Sequence, residues 1–249
     1  MKLQLVPIVI GLMVVATARA TAQDAVRTFP VDTIRERCIT FTEISRGSGT
    51  DGYRDCRVSR FGELGTVDGE TYYYAIYCLI PAASDADSGK CGDNSFSAQY
   101  HRARGLAVFA RATSERDVRL IFERVSGDLG MYAYREPVMA PSAVGTLLQL
   151  AIAFDGTGNY NASEYFVREE QRWERIDAET WLKELAGRLP PGTSVWKGVW
   201  PDLHTLRAEA GLYREGDGNC CPTGGLARIQ LAIRDKRFVL ESVTFEPNR

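Results

Sequence analysis

The chain has 249 residues, 45% of them hydrophobic and 25% charged, with a formal net charge of −2. Acidic and basic side chains are interspersed, and the basic stripe that a nucleic acid would demand is missing, so no nucleic-acid partner is expected. After residue 22 no segment is apolar and long enough to suggest a membrane-spanning helix.

The N-terminal segment speaks to compartment. Lys2 gives a positive start, residues 3–15 form an uncharged apolar run, and Ala18-Arg19-Ala20 and Ala20-Thr21-Ala22 each offer a small-x-small cleavage site. This pattern predicts a signal peptide over residues 1–22 and a periplasmic or secreted location for residues 23–249. No cysteine lies near the cut, so no lipid anchor is expected. Residues 23–249 read as one β-rich exported domain, with a division into two halves near 126–145 as the alternative.

The cysteines follow from that compartment. Cys38, Cys56, Cys78, Cys91, Cys220 and Cys221 are an even set in an exported chain, which reads as disulfides rather than free thiols. Spacing leaves the connectivity open. The expected pairing is Cys38–Cys56 and Cys78–Cys91, each closing a loop rich in Gly, Asp and Ser, with Cys220 bonded to Cys221. Each of the two loops would contribute about 3 kcal/mol by restricting the unfolded chain.

Most of the chain reads as strands. Tyr72-Tyr73-Tyr74-Ala75-Ile76-Tyr77 is apolar on both faces, which suits a central strand. Val118, Leu120 and Phe122 alternate with polar residues, as do Leu148, Leu150, Ile152 and Phe154 with Gln149 and two alanines. The same period of two marks Leu206, Ala208, Ala210 and Leu212, then Ala227, Ile229, Leu231 and Ile233. One segment breaks the pattern: Asp177 can cap a helix over about 178–188 whose apolar positions are Ala178, Trp181, Leu182 and Leu185. Gly187 and Pro190-Pro191 end it.

The strand order suggests three units of strand, polar loop, strand, tight turn, strand, over 71–125, 146–176 and 205–245. Glycine-rich turns between antiparallel strands would produce much of that layout without any repeat. The fold class is therefore α+β and β-dominated, built of antiparallel three-strand meanders with one main helix. A propeller-like arrangement is the alternative.

Few motifs point to chemistry. Asp155-Gly156-Thr157-Gly158-Asn159-Tyr160-Asn161 places oxygen side chains at alternate positions, as a calcium loop begins. Tyr160 and Phe166 then occupy the positions where an EF-hand needs Gly and Glu, so that motif is rejected. A looser calcium site or a plain hairpin loop remain as readings. Trp196, Gly198 and Trp200 share one face if the segment is extended. Two indoles there could stack a sugar ring, or could plug the gap between helix and sheet. Asn219 precedes the adjacent cysteines in Gly216-Asp217-Gly218-Asn219-Cys220-Cys221-Pro222, and is the third candidate ligand contact. Adjacent cysteines can close a ring only by constraining the peptide between them, which reads as a ligand-facing or redox-sensitive knuckle, or simply as a stapled loop. With His101 and His204 as the only histidines, no metal site, cofactor or catalytic residue is indicated.

Tyr72-Tyr73-Tyr74-Ala75-Ile76-Tyr77-Cys78-Leu79-Ile80-Pro81, then Cys91-Gly92-Asp93-Asn94-Ser95-Phe96-Ser97, resembles a family of uncharacterised exported bacterial proteins. Trp196-Lys197-Gly198-Val199-Trp200-Pro201-Asp202-Leu203 fits the same family, which would cover about residues 72–245. Asp217-Gly218-Asn219-Cys220-Cys221-Pro222-Thr223-Gly224-Gly225 also resembles the end of mycobacterial LppP/LprE-type lipoproteins. This chain lacks their lipidation cysteine, so their anchoring does not carry over. The resemblance implies an envelope location and no catalytic residue.

The expectation is thus an exported, disulfide-stapled binding or structural protein, its partner an envelope protein or a glycan. The competing readings are an exported hydrolase, a thiol-redox protein, or an inhibitor of an envelope enzyme. The sequence weighs against an enzyme.

Overall fold

The computed structural model describes residues 53–81, 104–114, 118–126, 132–154 and 160–248. The expected signal peptide, the partners Cys38 and Cys91, the side chain of Cys56 and the loop 155–159 lie outside the described residues.

Strands dominate and the sheets are antiparallel, as the alternation predicts. β1 (Tyr53–Val67), β2 (Glu70–Pro81), β3 (Arg104–Ala112) and β4 (Arg119–Ser126) form the first sheet in chain order. β5 (Tyr132–Tyr134) comes next, then β6 (Val138–Ser142) and β7 (Gly145–Leu150). β8 (Ile152–Phe154) leaves that sheet to pair with β5. β9 (Glu164–Glu169) and β10 (Arg172–Ile176) complete the second sheet, ordered β10-β9-β7-β6. After helix α1 (Thr180–Ala186), the third sheet is β11 (Thr193–Ser194), β12 (Arg207–Arg214), β13 (Gly225–Arg234) and β14 (Arg237–Glu246). Each unit marked by the sequence thus gains a fourth strand ahead of its three: β1, β6 and β11. Residues 132–142, where the sequence suggests a division, supply β5 and β6.

Tight turns follow from local backbone preference. The β1–β2 turn places Asp68 at φ 50° and Gly69 at φ 78°, and the β13–β14 turn places Asp235 and Lys236 at φ 50° and 55°. Positive φ at both central residues matches the twist of the flanking strands, and Asp tolerates it better than most residues.

The second sheet lies between the other two. Alternate residues of β9 point to opposite sides: Tyr165 and Val167 join a core with Ile229, Leu231, Phe238 and the helix residues Trp181 and Leu185. Phe166 joins a second core with Tyr72, Tyr74, Ile76, Leu106 and Val108 of the first sheet. Burial on both sides corrects the one-wet-face reading of residues 148–154. Gln149, expected at a solvent face, is only 8% exposed, and its Nε2 donates to Ser163 Oγ and Tyr165 Oη, both at 3.3 Å. The expected run also breaks at Ala151, where the chain turns away into β8.

The first sheet buries both faces of β2, as its unbroken apolar run predicts. Tyr72 and Ile76 belong to the core shared with the second sheet, while Ala75, Tyr77 and Leu79 belong to a separate cluster with Ala107 and Phe109. In β4 the alternation misleads. A bulge opposite Val108 and Phe109 slips the register by one residue, so Phe122 faces the shared core while Leu120 faces the other cluster.

The helix is shorter than expected, and its apolar stripe is only half buried. Trp181 and Leu185 are enclosed, whereas Leu182 is exposed. Asp177 does supply the start: its Oδ1 accepts the backbone N–H of Glu179 at 2.9 Å and of Thr180 at 3.1 Å. Among the described residues no helix is long and apolar enough to cross a membrane.

Candidate functional site

The site begins where β12 leaves the core. Leu212 and Tyr213 are buried, and residues 215–224 then loop back to β13. Asp217 ties the base of this loop: its Oδ2 accepts the N–H of Arg214 at 2.7 Å and of Thr223 at 2.8 Å, and its Oδ1 accepts Thr223 Oγ at 2.7 Å. Those backbone bonds, from Arg214 first and Thr223 next, hold its carboxyl below the usual range. The N–H of Gly224 donates to Leu212 O at 2.7 Å, closing the loop against its own strand.

At the tip, Cys220 and Cys221 are disulfide-bonded to each other and both are exposed. Cys78 is disulfide-bonded as well, though its pairing lies outside the described residues. The N–H of Cys221 donates to Gly218 O at 2.9 Å, and Pro222 folds back over Gly211, where an added Cβ would sit 2.9 Å from Pro222 Cγ.

This loop meets Trp196 through Tyr213. Pairing of Ser194 with Tyr213 in β11–β12 carries the chain past the tyrosine. The Trp196 indole then lies on the Tyr213 ring with centroids 4.7 Å apart and planes within 10°. Tyr213 is 3% exposed and its hydroxyl donates to Asn219 O at 3.1 Å. Trp196 is 37% exposed. One indole face is therefore braced by a buried ring that is itself tied to the stapled loop.

Trp200 does not join this arrangement. The backbone bends at Lys197 rather than running extended, so the shared face expected for Trp196 and Trp200 does not form. Trp200 lies half-buried over Gly198, whose added Cβ would stand 2.9 Å from the indole and 2.2 Å from Asn161 N. It is a packing residue, and Gly198 is small because two groups crowd it.

Two other concave regions contain polar side chains bonded within the chain. A groove of about 780 Å³ between the ends of β9 and β10, α1 and Val199 holds the amide and hydroxyls of Asn161, Ser163 and Tyr165. Asn161 Nδ2 donates to Val199 O at 2.8 Å, and its Oδ1 accepts the N–H of Ser163 at 2.8 Å. These bonds engage Asn161, the one residue of the oxygen-bearing run 155–161, apart from Tyr160, that lies among the described residues. Burial pushes the Tyr165 hydroxyl pKa up, so that group stays protonated and neutral.

The other cleft, about 700 Å³, lies over Arg168. Arg168 points from β9 toward the first sheet with its side chain 4% exposed. Its Nε donates to Asp68 at 3.1 Å, its Nη2 to Glu70 at 2.9 Å and its Nη1 to the Tyr72 hydroxyl. Its guanidinium lies over the rings of Tyr72 and Trp173, at 5.5 and 5.7 Å. Burial, then the bond to Glu70, pushes Tyr72 up to about 12. Burial raises Glu70 too, but bonds from Tyr72, Arg119 and Arg168 outweigh it and hold that carboxyl low.

Among the described residues no group of three or more His, Cys, Asp or Glu is placed to hold a metal ion. His204 is exposed, and Asp202 accepts from its backbone rather than its ring. Sequence reasoning missed Tyr213, Asp217 and Arg168. Asp217 with Thr223 was open to detection as a polar pair spanning the loop, but nothing local marks Tyr213 or Arg168. Compared with known family models, curated proteins and solved structures, the chain matches none.

Proposed function

We propose that the protein is an exported, disulfide-stapled binding protein that takes an envelope glycan on Trp196. The supporting observation is the indole itself: a large apolar ring that stays 37% exposed while one face is fixed against Tyr213. Held in that way, it loses little conformational freedom on binding, and a sugar ring presents matching C–H groups to such a face. The N-terminal pattern of residues 1–22 and the resemblance to exported bacterial proteins support the compartment. Asn219 takes part through its backbone, by fixing Tyr213.

Titration with soluble peptidoglycan fragments, followed by calorimetry, tests this reading. Trp196→Ala should weaken binding at least about tenfold, the scale of one lost interfacial aromatic, with little change in Tm. Trp200→Ala should instead lower Tm. No heat with any glycan fragment, or equal heat with Trp196→Ala, sinks the reading and directs attention to an envelope protein as the partner.

A further inference from the structure

We infer that the groove between the ends of β9 and β10, α1 and Val199 is a second binding site, for a small zwitterion with an aliphatic side chain: a free amino acid of that kind or a dipeptide built from them. The inference does not rest on the proposed glycan function, since neither Trp196 nor the loop 215–224 lines the groove.

The groove holds a buried hydrogen-bond donor with no acceptor. Tyr165 is 1% exposed and lines it. The hydroxyl oxygen accepts from Gln149 Nε2 and Asn161 Nδ2, both at 3.3 Å, while its own proton has no acceptor among the described residues. Neither amide can be turned round to supply one. Asn161 is fixed by its bonds to Val199 O and to the Ser163 N–H. Gln149 faces Ser163 Oγ, whose proton goes to Ile152 O, so its nitrogen is the atom it must present there. Burial keeps the Tyr165 phenol protonated, and a buried donor left unpaired costs free energy that a ligand oxygen would recover.

One water would meet that need alone, but the walls ask for more. Trp181 has its Nε1 bonded to Ala178 O at 2.9 Å, so its ring offers the groove apolar surface only. Leu182, in the same turn, is 38% exposed although its spacing places it with the apolar positions of α1. An aliphatic ligand side chain would cover that surface.

Charge narrows the class. Five charged residues line the groove, and three are already engaged. Glu164 is bonded to Arg124, Lys236 to Glu169 and Glu174, and both oxygens of Asp177 accept from groups at the start of α1. The side chains of Arg175 and Glu179 are exposed and form no hydrogen bond or ion pair among the described residues. Arg175 acts on Glu164 through its charge alone. A zwitterion answers each feature: a carboxylate for Arg175, an ammonium for Glu179, an oxygen for the Tyr165 proton and an aliphatic chain for Leu182. A phosphate dianion would face Asp177 and Glu179, and a neutral sugar would leave both free charges unanswered. The volume, about 780 Å³, lies in the range of small-molecule sites, about 300–1,000 Å³.

The experiment is calorimetric titration of the full chain with L-leucine and, separately, with L-leucyl-L-leucine. Saturable heat with either supports the site, and the tighter of the two tells the free amino acid from the dipeptide. Arg175→Gln and Glu179→Gln should each weaken binding about threefold, the scale of an exposed ion pair. Tyr165→Phe should weaken it about tenfold, the scale of a lost bond to a charged oxygen. N-acetyl-leucinamide, which carries neither charge, should bind more weakly than either probe and equally to the wild type and both charge variants. If Tyr165→Phe does not fold, the two exposed charge variants decide. No saturable heat with either probe, or affinity unchanged in both charge variants, overturns the inference. Neither probe is a glycan, so a failed glycan titration leaves this result standing, and failure here leaves the Trp196 reading untouched.

Discussion

Arg168 and Trp196 are both polar or aromatic groups set against buried tyrosines, yet they differ in what remains to be satisfied. Three nitrogens of Arg168 are bonded within the chain, and its planar face lies on two rings. Trp196 has one face on Tyr213 and is 37% exposed. A group whose partners are all internal holds sheets together, while a group braced on one side only is available to a ligand. Cavity size does not separate them, because the cleft over Arg168 is large while Asp68, Glu70, Arg119 and Arg168 within it are paired with one another.

The largest effect should come from breaking the first of these regions. Arg168→Met removes a buried cation and leaves Glu70 and Tyr72 without their shared donor, at a cost of about 4 kcal/mol in urea unfolding. Glycan binding per folded molecule should stay unchanged. A loss below about 1 kcal/mol would show the contact to be no stronger than an exposed ion pair.

The dependence on pH sharpens the same contrast from both ends. Glu70 lies below its ordinary 4.5 in the folded state, so its contribution is complete above 4.5 and is lost as pH falls through the lower folded value. Tyr72 lies near 12 against an ordinary 10.0, so its contribution is complete below 10.0 and is lost as pH rises toward 12. Unfolding free energy should therefore fall on both sides; Arg168→Met should flatten the acid slope, because its bond helps hold Glu70 low, and steepen the alkaline one, because its charge holds Tyr72 down against burial. Unchanged slopes in that variant would assign the pH dependence to other groups. Glu164, held low by its two-point bond to Arg124, adds to the acid side alone and should persist in the variant.

The smallest change in global stability belongs to the other region. Asp217→Ala removes the acceptor that ties Arg214 and Thr223, both at the loop base and exposed. Proteolysis within residues 215–223 should accelerate while Tm hardly moves, since exposed segments open locally without the core. Cleavage at the wild-type rate would show that the disulfide and Gly224 hold the loop without the aspartate.

Much of the secondary structure was legible because its causes are local. The alternation at Ala227, Ile229, Leu231 and Ile233 survives intact, since β13 has one core face and one wet face. The same reasoning failed for Gln149, whose strand is buried on both sides, and for Leu120 and Phe122, separated by a bulge. Of the candidate site, Trp196 and Asn219 were visible as residue types. Their connection through Tyr213 was not, and Trp200 carried the same signal as Trp196 while serving to fill space.

The sequence by itself determined strands, turns, the capped helix and the adjacent cysteines, because each depends on neighbours within a few residues. Tertiary structure decided the rest. Arg168 meets Asp68 and Glu70 across about a hundred residues of chain, and Trp196 meets Tyr213 only because β11 pairs with β12. Burial and pairing of that kind depend on which sheet faces lie against each other, and period-two alternation is the same whichever sheet a strand joins.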